Sequence, residues 1–139
     1  MSIEALQTTL AAEHAAVWIH GVLGGQVSRS SQEALAAAIT GAYTVHRGRR
    51  DQVIRWIRDL DQDPVAAEVA YELTHDVATP AGIQATAQSV EQGCARAYAD
   101  LVGRSSDHLR TWAISALVDA AKREMAFGGT ARVLPGIPD

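Results

Sequence analysis

Asp61-Gln62-Asp63-Pro64-Val65-Ala66-Ala67-Glu68-Val69-Ala70-Tyr71-Glu72-Leu73-Thr74-His75-Asp76-Val77-Ala78-Thr79 is the stretch on which the fold turns. It separates two long helical tracts from two more, and every other link between tracts has only a few residues. Short links make the first two helices antiparallel neighbours, and the last two likewise. The long link has more reach. Asp63 reads as an N-cap and Pro64 as a first helical residue, so a short helix is expected to about Leu73. That helix supplies about 15 Å at 1.5 Å per residue. The extended remainder supplies up to about 30 Å at 3.3 Å each. Together they run the length of a long helix, so the second and third helices can lie parallel. The expected fold is all-α: a four-helix bundle of two antiparallel hairpins joined by a long crossover containing a short helix.

Working outward, caps set the helix limits. Ser2 precedes a proline-free run to about Val27, which Gly24-Gly25 and Ser28-Arg29-Ser30 are expected to close. Ser31 is the expected cap of the second helix, with Gln32 and Glu33 in its first turn and its end near Leu60. Thr79-Pro80 opens the third, to about Gly103. Ser105 or Ser106 caps the fourth, which stops at Gly128-Gly129. One domain is expected over 1–139, with the bundle at about 2–128 and an extended, proline-containing tail over 129–139.

Composition narrows the function. The formal net charge of −4 lacks the basic surplus that a general nucleic-acid binder needs. No apolar run of membrane-spanning length occurs, and Met1-Ser2-Ile3-Glu4 carries an acid where a signal peptide carries positive charge. A cytoplasmic location is the expectation. Cys94 is the single cysteine, so no internal disulfide forms. Abundant alanine favours closely packed helices.

Spacings of three and four then pick out the interior. The first helix presents Ile3, Leu6, Leu10, Glu13, Val17, His20 and Gly24, so an apolar stripe contains two ionisable members. The second presents Leu35, Ile39, Ala42, His46, either Arg49 or Arg50, Val53 and Trp56. The third presents Ile83, Ala87, Glu91, Cys94, Tyr98 and Leu101. The fourth presents Leu109, Ala113, Leu117, Ala120 and Phe127. The polar members fall near the middle of the first three helices, at one level. Charge at that depth must be paired or bound to metal.

Several of these strings resemble a known family. Ala12-Glu13-His14-Ala15, His46-Arg47-Gly48-Arg49-Arg50-Asp51, the Pro64–Leu73 segment, and Glu91 with Ala97-Tyr98 are similar to an alanine-rich actinobacterial family. So is Leu134-Pro135-Gly136, with Leu in place of an aromatic residue, while Thr74 stands where the family usually has proline. That family is described as a ferritin-like domain of unknown function. The resemblance covers nearly the whole chain and implies a ferritin-like four-helix bundle, but no activity.

A di-iron carboxylate bundle needs one Glu from each of two helices and Glu-x-x-His from each of the other two. Glu13 and Glu91 occupy the single-Glu places. In the second helix the pair becomes His46-x-x-Arg49, and the fourth offers no Glu-x-x-His. Arginine cannot ligate a cation and brings positive charge of its own. The expected cluster is therefore Glu13, His46, Arg49, Arg50, Glu91 and His20, with an arginine bridging the two glutamates where metal would sit. No cofactor and no metal are expected, and no catalytic residue is assigned. The competing reading is an atypical metal- or cofactor-dependent oxidoreductase using Glu13, His46 and Glu91.

Other residues have two readings each. His20 is either a hydrogen-bonded core histidine or a neighbour of Glu13, and Cys94 reads as packing. Arg47, Arg49, Arg50, Arg55 and Arg58 spread around their helix as a solvated face, or else serve a small anionic ligand. Gly41 and Gly48 suit a close crossing by another helix or subunit. Trp18, Trp56 and Trp112 serve either the core or the interface of a homodimer.

Overall fold

Ser2 places its hydroxyl to accept from the Ala5 N–H at 3.2 Å, and from that cap α1 runs over Ile3–Gln26. The computed structural model describes residues 2–138; Met1 and Asp139, the last residue of the expected tail, lie outside them. Gly24-Gly25, expected to close α1, sits instead inside its last turn, and the chain turns extended at Val27. Val27 is buried at the exit, and its N–H still bonds Leu23 O.

Helix α2 spans Glu33–Asp59 and its N-cap is Gln32. Ser31, the expected cap, instead donates its N–H to Ser28 Oγ at 3.2 Å within the connecting turn. At the other end Asp61 takes φ of 56°, its N–H bonding Arg58 O and that of Gln62 bonding Ile57 O. This paired closure satisfies carbonyls that would otherwise be orphaned. Thr79 caps α3 (Pro80–Arg104) by accepting from the Gly82 N–H at 3.1 Å, and Pro80 costs nothing where no N–H partner exists. Helix α4 spans Asp107–Ala126 from N-cap Ser106 and ends with the same closure, this time with Gly128 at φ 93°.

Two apolar layers show how the helices run. One joins Leu6 and Leu10 of α1 to Val53 and Ile57 of α2, Leu101 of α3 and Leu109 of α4. The other joins Leu23 of α1, Ile39 of α2, Ile83 of α3 and Phe127 after α4. Early α1 thus meets late α2, and early α3 meets early α2: α1 and α2 are antiparallel, while α2 and α3 are parallel. Between the layers lies a band of small side chains, Ala16, Ala95, Ala116 and Ala120, with Cys94 and Tyr98.

The crossover carries no helix, which corrects the expectation for Pro64–Leu73. Its backbone bonds go to α1 side chains instead of along the chain. Gln7 donates to Asp63 O at 2.7 Å and accepts from the Val65 N–H at 2.8 Å, and His14 Nε2 donates to Val65 O at 3.0 Å. Extended chain also covers about twice the distance per residue, which an end-to-end crossing needs. Tyr71, Leu73 and Val77 then pack on the far apolar layer, Tyr71 against Trp18.

Close packing joins α1 to α2 and to α3, and α3 to α4, whereas α2 and α4 face each other across a wider seam. Accordingly no helix among the described residues crosses closely at Gly41 or Gly48: a Cβ on Gly41 would meet the Arg123 guanidinium at 3.7 Å, and one on Gly48 would meet nothing within 4 Å. The tryptophans pack within the chain, Trp56 and Trp112 edge to face at 5.1 Å. No helix among the described residues is long and apolar enough to cross a membrane.

Candidate functional site

In the small-residue band α1 supplies Glu13 and His20, α2 His46, and α3 Glu91, all four fully buried. His46 lies between the two carboxylates. Its Nδ1 donates to Glu13 Oε2 at 2.7 Å and its Nε2 to Glu91, at 2.8 Å from Oε1 and 3.1 Å from Oε2. A neutral imidazole has one donor, so two carboxylate acceptors on opposite sides require the imidazolium. Burial pulls its pKa down, but the bonds and charges of Glu13 and Glu91 outweigh burial and raise it to about 9. Glu91 responds in the opposite sense: burial raises it, yet His20 and His46 bring it down to about 2.

The remaining acceptor sites are filled as well. The Tyr98 hydroxyl donates to Glu13 Oε1, and His20 Nε2 donates to Glu91 Oε1 at 3.2 Å. The His20 ring stacks between His46, at 5.5 Å, and Phe127, at 6.0 Å. Burial lowers the His20 pKa, against the opposing effect of Glu91, so His20 is neutral beside an imidazolium. Burial likewise pushes the Cys94 thiol and the Tyr98 phenol well up, keeping both protonated.

The arginines do not stand where the sequence reading put them. Neither bridges Glu13 and Glu91; His46 does, because its two nitrogens already span the gap from the centre of α2. Arg49 points into the α2–α4 seam, donating to Asp119 Oδ2 at 2.9 Å and to the Tyr98 hydroxyl at 3.4 Å. Arg50 turns outward and pairs with its neighbour Asp51 at 2.9 Å. Sequence reasoning missed two participants. Tyr98 was legible: it lies two turns from Glu91 on the same face, and a buried hydroxyl needs a partner. Asp119 had no signal, since it belongs to no apolar stripe of α4.

The donor set does not fit a di-iron pair. At this level α4 presents Ala116 and Ala120 to the cluster, and its neighbouring carboxylate, Asp119, is taken up by the guanidinium groups of Arg49 and Arg123 in the seam. Smaller sets remain. Glu13, His46 and Cys94, or His20, His46 and Glu91, can each bring one ligand atom within 4.8 Å of the others. Either would need His46 to give up a proton that it holds to about pH 9.

A family model described as a domain of unknown function, DUF4439, matches residues 5–139. The crystal structure of a conserved hypothetical protein, rv2844, from Mycobacterium tuberculosis superposes with a TM-score of 0.81 at 25% identity, covering 89% of this chain and 92% of that one. A ferritin-like, diiron-carboxylate protein from Bacillus anthracis str. Ames superposes with a TM-score of 0.78 at 15% identity, over 90% of this chain and 91% of that one. No curated protein matches the chain. The ferritin-like fold expected from the sequence is thereby shown.

Proposed function

This chain belongs to the DUF4439 family, and we propose that it is a non-catalytic binding or scaffolding module on a ferritin-like bundle. One observation carries this reading: His46 donates from both nitrogens, to Glu13 at 2.7 Å and to Glu91 at 2.8 Å. An imidazolium thus does at the bundle's centre what a cation does in a carboxylate bundle, neutralising facing carboxylates so that they can be buried. A positive group already in place repels a second cation and has no lone pair to offer it. Every carboxylate oxygen of the cluster already has a donor, so a metal would have to displace hydrogen bonds to reach it.

Metal analysis of protein purified without chelator tests this reading. Iron, manganese and zinc at trace levels, with no ferroxidase activity, are the expected result. Two equivalents of iron per chain, lost in E13A and E91A, would overturn it. A second reading, an atypical metal-dependent oxidoreductase using Glu13, His46 and Glu91, draws support from two close ligand sets that share His46, one holding Glu13 with Cys94 and the other Glu91 with His20. One equivalent of metal bound with release of a proton from His46 would decide for it.

A further inference from the structure

Gly21, Gly24 and Gly25 all lie inside α1, where each weakens the helix relative to alanine. Backbone conformation does not demand them, because the positive-φ glycines among the described residues are Gly128 and Gly136. Packing does not demand them either. A Cβ on Gly21 would make ordinary contact with Tyr43 at 3.6 Å, one on Gly24 would meet Ile39 at 3.9 Å, and one on Gly25 would meet nothing within 4 Å. What the missing side chains leave is a groove of about 420 Å³ between the end of α1 and the start of α2, in the size range of small-molecule sites.

Two polar groups give that groove a chemical character. His20 lines it, fully buried, and its Nδ1 is the one buried side-chain nitrogen or oxygen among the described residues with no partner. Since Nε2 donates to Glu91, Nδ1 carries a lone pair and accepts. A buried acceptor left unpaired loses the hydrogen bond that water would give it in the unfolded chain. Arg29 lines the same groove with a guanidinium that makes no ion pair or side-chain hydrogen bond among the described residues. Arg47 adds a second positive charge, lying over the Tyr43 ring at 5.8 Å from its centroid.

We propose that this groove binds a small organic anion that also carries a hydroxyl or N–H donor, the anionic group pairing with Arg29 and the donor reaching His20 Nδ1. A water could fill the acceptor but not neutralise the arginine, and an inorganic anion without a proton, such as sulfate, could pair with the arginine but not donate. The Tyr43 ring and the Thr40 hydroxyl complete a wall with both apolar and polar surface. This inference rests on the binding-module reading and gives that module its ligand class.

The test uses the whole chain, with His20 ring nitrogens followed by NMR during titration. D-glycerate and glycerol 3-phosphate are the probes; they share the hydroxyl donors and separate a carboxylate from a phosphate source. Glycerol, without charge, and sulfate, without a donor, are the controls. At least one of the two anionic probes should saturate and move the His20 Nδ1 resonance, while the controls leave it in place. R29Q should weaken that binding about tenfold, the loss of one charge-assisted hydrogen bond. G25L fills the groove without touching His20, and it should abolish binding while the unfolding midpoint holds or rises. The proposal is overturned if neither anionic probe moves Nδ1, if a control binds as well, or if G25L binds undiminished. A failed titration on protein free of metal sinks the ligand site alone; metal uptake that shifts the His46 ring signals sinks the module reading.

Discussion

The guanidinium of Arg49 and the carboxylate of Glu13 do not meet: the Tyr98 hydroxyl stands between them, accepting from Arg49 at 3.4 Å and donating to Glu13. The positive charge nearest the seam therefore acts on the central carboxylate through a phenol. Burial works against the Arg49 charge, and Tyr98, Glu13 and Asp119 more than restore it, so its pKa is raised. This relay replaces a direct arginine bridge and separates the contributions of the two adjacent arginines.

R49M removes the donor to the Tyr98 oxygen and one of the two guanidinium partners of Asp119, which keeps Arg123 at 2.9 Å, and should cost about 1 kcal/mol in urea unfolding. R50M removes a surface pair with Asp51 and should stay within about 0.5 kcal/mol of wild type. Equal losses from the two would show that the seam is not built around Arg49.

Removing the central imidazolium has a larger effect. H46L leaves Glu13 and Glu91 facing each other unpaired, and a loss of about 3–5 kcal/mol is expected. The triple variant E13M/H46L/E91M, which removes both carboxylates as well, should regain most of that. If the triple variant is no more stable than H46L, like-charge repulsion is not the cause of the loss.

Stability should peak near pH 6.5. His46 is raised from 6.5 to about 9, so its stabilisation is complete below 6.5 and disappears as the pH climbs through 9. At about 1.4 kcal/mol per unit, that rise is worth about 3 kcal/mol. On the acid side His20, held neutral by burial, begins to cost stability as soon as the unfolded histidine takes a proton, below 6.5. Glu91, lowered from 4.5 to about 2, adds a further loss as the pH falls from 4.5 through 2. The shifts of His46 and Glu91 report one contact, so their energies do not add. Thermal midpoints from pH 3 to 10 check the curve; a flat profile between 6.5 and 9 would mean that His46 is not doubly paired.

Gln7 grips the start of the crossover from both sides, and Q7A should release it. Hydrogen exchange at the Val65 amide should quicken, since its acceptor is the Gln7 side chain. Global stability should fall by less than about 1 kcal/mol, because the bundle's apolar layers are untouched.

The architecture was legible in the sequence because link lengths and caps are local signals. Thr79-Pro80 and Ser2 act as read, and a long link between Asp61 and Thr79 admits few topologies. The failures were also local. Asp63-Pro64 looks like a helix start, but Gln7 and His14, between 51 and 58 residues upstream of the groups they bind, claim the backbone groups a helix would use. Asp61 closes α2 in a left-handed conformation that glycine announces after α4 and aspartate does not. At the centre, spacing alone brings Glu13, His20, His46 and Glu91 to one level. It could not rank His46 above Arg49 as the bridge, because that depends on side-chain reach across a seam whose width no single helix encodes.

The cluster's division among helices bears on how the chain folds. Local contacts within each hairpin form readily, whereas α1 and α3 must find each other across the crossover. The first hairpin brings Glu13 and His46, a balanced pair; the second brings Glu91 with no cation of its own at that level. Desolvating Glu91 before the hairpins dock would cost several kcal/mol. Docking and charge neutralisation are thus one event, and neither hairpin gains by drying its interior early. Such a chain loses its two halves together, in a single cooperative transition, and a hairpin cut out and studied alone would stay wet and loosely packed.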